Sequence, residues 1–168
     1  MNVDCNQEIP GTFVTQADAV IKRYPASRRS ATLPLLHLWQ EMFGYVSAQG
    51  VEWIARKLGL QPINVLELVT FYPMFRRHPA GRYQFKVCRT LSCAMAGSYD
   101  LCRYLKKQCN VGEPDEHGLA VSPDGRYSVE FVECLASCGT APVVMMNEDL
   151  HEKVTTESIQ EIIRKLPN

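Results

Sequence analysis

Hydrophobic positions in the first half of the chain recur at helical spacing; in the second half they begin to alternate. Ala17, Val20, Ile21 and Tyr24 share one helical face until Pro25 stops the pattern, and Thr15 with Asp18 resembles a capping box. The twelve or so residues before it are polar and turn-rich through Pro10-Gly11, which predicts a loose tail carrying Cys5. A second helix is expected over residues 32–43, with Pro34 in its first turn, Leu35, Leu38, Trp39, Met42 and Phe43 as the buried stripe, and Gly44 as its end. Ser47 is placed to cap a third, in which Val51, Ile54, Ala55 and Leu58 share a face before Gly59 closes it. Pro62 opens a fourth through Val65, Leu66, Val69 and Phe71, ended by Pro73. The first half therefore reads as a small helical bundle.

After Pro79-Ala80-Gly81 the period falls to two. Tyr83, Phe85 and Val87 alternate with Gln84 and Lys86 and lead directly into Cys88, predicting a strand that ends at a cysteine. Residues 94–109 return to helical spacing, with Leu101, Cys102, Leu105 and Cys109 on one side and Arg103, Lys106 and Lys107 on the other. Pro123-Asp124-Gly125 is a turn, after which Tyr127, Val129 and Phe131 alternate up to Cys134. A hairpin is expected between residues 143–146 and 151–154 around Asn147-Glu148-Asp149, and an amphipathic helix over 156–166 closes the chain. The order β-α-β-β-β-α describes a small mixed sheet covered by helices, so the fold class is α+β, with a tail and helical bundle over 1–80 and the sheet domain over 81–168.

A length of 168 residues accommodates one ordinary domain, or a small domain with a helical extension, but not two large ones. Hydrophobic residues at 46% and charged residues at 21% exclude disordered and fibrous classes. A formal net charge of zero gives no overall pull toward nucleic acid or an anionic membrane. The longest apolar runs, such as residues 143–146, are far shorter than the ~20 residues of a membrane helix, and Met1-Asn2-Val3-Asp4 lacks the features of a signal peptide, so a cytoplasmic protein without direct membrane insertion is expected. Basic residues from Arg76 to Lys107 crowd the middle while acidic ones fill the last third. This pattern reads either as solvated faces or as a docking surface. The glycines nowhere form G-x-G-x-x-G or a phosphate-binding lysine loop, so no nucleotide site of the chain's own is expected.

Seven cysteines change this picture, because a reducing compartment disfavours structural disulfides and an odd count cannot pair fully within one chain. Four of them fall as Cys88-x4-Cys93 and, forty residues later, Cys134-x3-Cys138, each pair in a loop just after a predicted strand. Neighbouring strands would bring all four sulfurs to one sheet edge, and four thiolates are the usual ligands of a 2Fe-2S cluster. Ser92, Ala94, Ala96, Gly97, Ala136, Ser137 and Gly139 are small enough to let backbone N–H groups approach the sulfurs. A helix beginning near Ala94, capped by Ser92, would also turn its N-terminus toward the thiolates. Three other chemistries bear on the same residues. Structural zinc takes four cysteines but favours C-x2-C knuckles; a Rieske centre needs histidines, and His37, His78, His117 and His151 all lie ten or more residues from these cysteines; a thiol-disulfide enzyme would show C-x-x-C before a helix. Cys102 and Cys109, one heptad apart on an apolar face, read as core packing.

The segments Val87-Cys88-Arg89-Thr90-Leu91-Ser92-Cys93-Ala94-Met95-Ala96-Gly97 and Glu133-Cys134-Leu135-Ala136-Ser137-Cys138-Gly139-Thr140-Ala141-Pro142 resemble the small 2Fe-2S subunit of NADH:quinone oxidoreductase, respiratory complex I. Upstream, the stretch from Gly59-Leu60 to Phe71-Tyr72-Pro73-Met74-Phe75 is similar to that family's helical region. The resemblance implies a thioredoxin-like ferredoxin domain with a mixed sheet, preceded by a helical bundle. It also implies one 2Fe-2S cluster on Cys88, Cys93, Cys134 and Cys138, in an electron-transfer subunit with no substrate site of its own. The implied partners are a flavoprotein subunit that binds NADH and FMN and further iron-sulfur subunits, in the peripheral arm of a membrane-associated complex. Relatives of this subunit also serve NAD-reducing hydrogenases and NAD-linked formate dehydrogenases.

Overall fold

The computed structural model describes residues 8–115 and 118–167; Cys5 and His117 lie outside the described residues. The chain divides into two compact units, Met1–Pro79 and Ala80–Asn168. Among the described residues no helix is long and apolar enough to cross a membrane.

The described residues of the first unit form four helices: α1 (Gly11–Lys22), α2 (Thr32–Phe43), α3 (Ala48–Leu58) and α4 (Pro62–Phe71), with a 3-10 turn over Arg28–Ala31 leading into α2. Ser47 caps α3 by accepting a hydrogen bond from Gly50 N–H at 3.2 Å, and Gly59 ends the helix in the left-handed region at φ 73°. The core centres on Phe13, Leu35, Leu36, Trp39, Ile54 and Val65, with the Phe13 and Trp39 rings edge-to-face at 5.5 Å. Phe13 alters the sequence-based boundary. The chain needs its ring in the core, so α1 begins at Gly11 rather than Thr15, and the Thr15 hydroxyl, now inside the helix, donates to the Gly11 carbonyl at 3.0 Å instead of capping. Met42, expected in the buried stripe of its helix, is exposed, as is Phe71 at the end of α4.

The second unit is a five-stranded sheet in the order β2-β3-β1-β4-β5, from β1 (Tyr83–Cys88), β2 (Ala120–Val121), β3 (Tyr127–Val132), β4 (Val144–Met146) and β5 (Asp149–His151). β1 and β3 are parallel in the register Tyr83↔Tyr127 to Cys88↔Val132, and the other pairings are antiparallel. Helices α6 (Ser98–Gln108) and α7 (Thr156–Lys165) cover the sheet, with Phe85, Val87, Leu101, Leu105, Val129, Val144 and Ile159 forming the core between them. Three details differ from the sequence reading. The expected helix over 94–109 is two helices, α5 (Leu91–Met95) and α6, separated at Gly97 with φ 95°; α5 starts before Cys93, so Ser92 is an internal residue and Thr90 occupies the N-cap position. The hairpin turn is confined to Asn147-Glu148, and Asp149 pairs with Met146, which moves the last strand two residues earlier than expected. β2 has no counterpart in the sequence reading, because two residues carry no readable period.

Cys102 and Cys109 are buried in this core, as their spacing implied. Burial raises both thiol pKa values, that of Cys109 from 9.0 to about 12. A raised thiol pKa means that the stability from burying neutral Cys109 is fully present below pH 9 and is lost as pH climbs from 9 toward 12. The slope is about 1.4 kcal/mol per pH unit for one thiol. Urea unfolding at pH 8 and pH 10 is expected to show this loss in the wild type and a visibly smaller one in Cys109→Ala; equal losses would remove Cys109 as a cause.

Candidate metal centre

Parallel pairing places the site. Because β1 and β3 run side by side in the same direction, the loops that follow them leave the sheet at the same edge, where open α/β sheets carry their ligand sites. Arg89 N–H donates to Val132 O at 3.0 Å, extending the pairing one residue past Cys88. The Arg89 guanidinium then binds the Glu133 carboxylate, Nε to Oε1 at 2.9 Å. These two residues stand immediately after the first cysteine and immediately before the third, so the ion pair joins the two cysteine loops at their roots. Both side chains are more than half exposed, which limits the pair to about 1 kcal/mol or less.

Cys88 ends β1 and Cys93 lies in the middle of α5; both are 2% exposed and pack with Val143, Leu135 and Ala141. Their thiols are close enough to influence each other's ionisation. Burial opposes ionisation of Cys88. Hydrogen bonds outweigh it: the Thr90 hydroxyl 3.3 Å from the sulfur, the backbone N–H groups of Leu135 and Thr90, and the Cys93 thiol together hold its pKa below the ordinary value. For Cys93 burial acts first and the hydrogen bond to Cys88 adds to it, so its pKa is raised despite a bond from Val143 N–H, and Cys138 is near enough to contribute by charge repulsion.

The second pair is exposed. Cys134 follows β3 by two residues, and its sulfur accepts a hydrogen bond from Ala136 N–H at 3.3 Å; Ala136, at φ 59°, turns the chain back toward Cys138. Cys138 begins a 3-10 turn (Cys138–Thr140) that leads into the cis Ala141-Pro142 bond. The structure therefore brings Cys88 and Cys93 together, sets Cys138 close enough to Cys93 to be felt electrostatically, and places Cys134 on the same loop as Leu135, which packs against Cys88 and Cys93. Among the described residues no three His, Cys, Asp or Glu side chains converge as a single ion requires. A two-iron cluster asks less of any one point, because each iron takes two thiolates. Buried thiols on one side, N–H donors aimed at sulfur and small residues around an open side all suit such a cluster. Sequence reasoning does not single out Thr90 or the Arg89–Glu133 pair. The available signal is the opposite charges at matched positions beside Cys88 and Cys134.

Comparison with known proteins agrees with this arrangement. Residues 17–167 match the family model of the thioredoxin-like 2Fe-2S ferredoxins. NADH-quinone oxidoreductase subunit 2 of Thermus thermophilus is 40% identical over 80% of this chain and 71% of its own length. An NADH-quinone oxidoreductase subunit of Rickettsia bellii is 38% identical over 90% of this chain and 89% of its own, and one of Mycobacterium tuberculosis H37Rv is 38% identical over 89% of this chain and 57% of its own. Among solved structures, an NAD+-reducing NiFe hydrogenase in the air-oxidized state superposes with a TM-score of 0.65 at 21% identity, which speaks to fold alone. That match covers 78% of this chain and 22% of the hydrogenase chain. With the parallel strands, the two cysteine loops and the family match over nearly its whole length, the chain belongs to the thioredoxin-like 2Fe-2S ferredoxin family.

Proposed function

We propose that the chain holds one 2Fe-2S cluster on Cys88, Cys93, Cys134 and Cys138 and acts as the electron-transfer subunit of an NADH:quinone oxidoreductase, exchanging single electrons with the FMN of an NADH-oxidising flavoprotein partner. The observation that carries this reading is the meeting of the two cysteine loops: Leu135, from between Cys134 and Cys138, packs against Cys88 and Cys93. The cluster, when bound, supplies one-electron oxidation and reduction. The chain's own part is to hold and tune it. Four thiolates would ligate the irons; the N–H groups of Thr90, Leu135 and Val143 and the Thr90 hydroxyl draw negative charge from the sulfurs and raise the potential. Val143, Leu135 and Ala141 exclude water on the inner side. Exposed Cys134, Cys138, Ala136 and Gly139 leave the outer side open to a redox partner. In this reading residues 81–168 carry the cluster, residues 1–80 form a helical bundle, and the subunit sits in the peripheral arm of a membrane-associated complex on its cytoplasmic side. The names of the relatives, all subunits of NADH-quinone oxidoreductase, support the host complex.

Anaerobic purification, iron and sulfide analysis and paramagnetic resonance of the dithionite-reduced chain test this directly. Equal iron and sulfide with a reduced 2Fe-2S signal is the expected result, and a colourless protein with one zinc per chain would end the reading in favour of a structural module. Co-expression with an NADH- and FMN-binding flavoprotein subunit is expected to give a stable complex, whereas NADH oxidation by the isolated chain would contradict the division of labour.

A further inference from the structure

The segment after β5 straps the second cysteine loop from outside. Lys153 N–H donates to Thr140 O at 2.7 Å and Val154 N–H to Pro142 O at 3.0 Å, so backbone bonds hold the loop just beyond Cys138. One side chain adds to them. Glu152 Oε1 accepts from the Thr140 hydroxyl at 2.6 Å and also from the Ser137 hydroxyl, while the two hydroxyl oxygens lie 2.8 Å apart. Ser137 precedes Cys138 and Thr140 follows it by two residues, so a single carboxylate oxygen closes a ring around the cysteine. Thr140 N–H donates to Ser137 O at 3.1 Å, which makes the enclosed turn tight. Hydrogen bonds from both hydroxyls, Ser137 first, hold the Glu152 pKa below the usual carboxylate range.

We propose that Glu152 is a positioning residue for the iron-sulfur site: through Ser137 and Thr140 its carboxylate fixes the loop that presents Cys138, and its negative charge there opposes reduction of the cluster. The proposal rests on the ligand reading above. Its two parts follow from different physics. The clamp needs an acceptor at this position, because Ser137 and Thr140 both offer it O–H groups. The effect on potential needs a charge, because reduction adds negative charge beside one already present.

Glu152→Gln keeps a carbonyl acceptor and removes the charge; Glu152→Ala removes both. Amide hydrogen exchange of the metal-free full chain reads the clamp alone: Glu152→Ala is expected to speed exchange at Thr140 and Lys153 by roughly tenfold, the equivalent of one charge-assisted hydrogen bond, and Glu152→Gln by much less. Potentiometric titration of the cluster-loaded chain reads the charge, with an upward shift of the midpoint expected in Glu152→Gln. Unchanged exchange in Glu152→Ala, or a wild-type midpoint in Glu152→Gln, overturns the proposal. A wild-type chain that takes up no cluster overturns the functional reading and with it the effect on potential, and hydrogen exchange then still decides the clamp.

Discussion

Cys88→Ala is expected to yield a folded chain that has lost its cluster, with retention of iron and sulfide falling by more than ~100-fold, since loss of groups that merely orient a ligand already costs about 10- to 100-fold. Cys88 terminates β1, is 2% exposed, and lies 3.3 Å from the Thr90 hydroxyl. Among the described residues no spare thiol stands beside it: Cys93 already fills the adjacent position, Cys102 and Cys109 are buried in the core of the sheet, and the neighbouring Thr90 hydroxyl is neutral. Cys134→Ser is expected to behave differently. That position is exposed and its backbone surroundings are unchanged by the substitution, so a serine oxygen can take the place of the sulfur and the signal weakens or shifts rather than vanishes. Cys102→Ala supplies the control: the thiol is buried on α6, and its removal costs about 1 kcal/mol of stability with the resonance spectrum intact. Loss of the signal in Cys102→Ala, with retention in Cys88→Ala, would reverse the ligand assignment.

The second large effect is expected at Gly81, which precedes β1. A Cβ there would stand 2.2 Å from the Tyr127 carbonyl carbon and 2.4 Å from the Ser128 nitrogen, both backbone atoms of β3. Neither can swing aside as a side chain would, so Gly81→Ala must push β1 away from β3 where their parallel pairing starts. The neighbouring bonds from Arg82 N–H to Gly125 O and from Tyr83 N–H to Arg126 O would lengthen with it. Overpacking against backbone of this kind is worth about 3 kcal/mol or more, a fall of roughly 10–20 °C in the Tm of a unit this size. The same displacement reaches the far end of the pairing, where Cys88 and the Cys134 loop must emerge side by side, so poorer cluster retention is expected alongside it. Gly112→Ala is the matched control, since its Cβ would meet only Val121 O at 3.8 Å. Equal melting temperatures for the two variants would show that the strand approach at Gly81 relaxes freely.

Much of the fold follows from local chemistry that a linear reading detects. α2, α3 and α4 begin and end at the expected residues because Ser47, Gly44, Gly59 and Pro62 act on their own backbone neighbours. The strands leading to the cysteines are legible from alternation, and the four cysteines from their spacing. Failures occur where a distant partner decides. α1 starts early because Phe13 is wanted by Trp39, far along the chain, and the helix after Cys93 breaks at Gly97 because Cys93 must face Cys88 while Leu101 and Leu105 face the sheet. One straight helix does not present both faces.

What the sequence determined by itself, then, is the inventory: a helical first half, an alternating second half, and two pairs of thiols set just beyond strands. Spacing along the chain encodes these because capping, turn formation and amphipathic burial act over a few residues. Only the tertiary structure decided which thiols of the site are buried, that Leu135 packs against Cys88, and that Glu152 closes a ring around Cys138. Those relations join residues brought together by the parallel alignment of β1 with β3 and by the strap after β5. Contacts of that range depend on which strands pair, and hydrophobic alternation marks a strand without naming its neighbour.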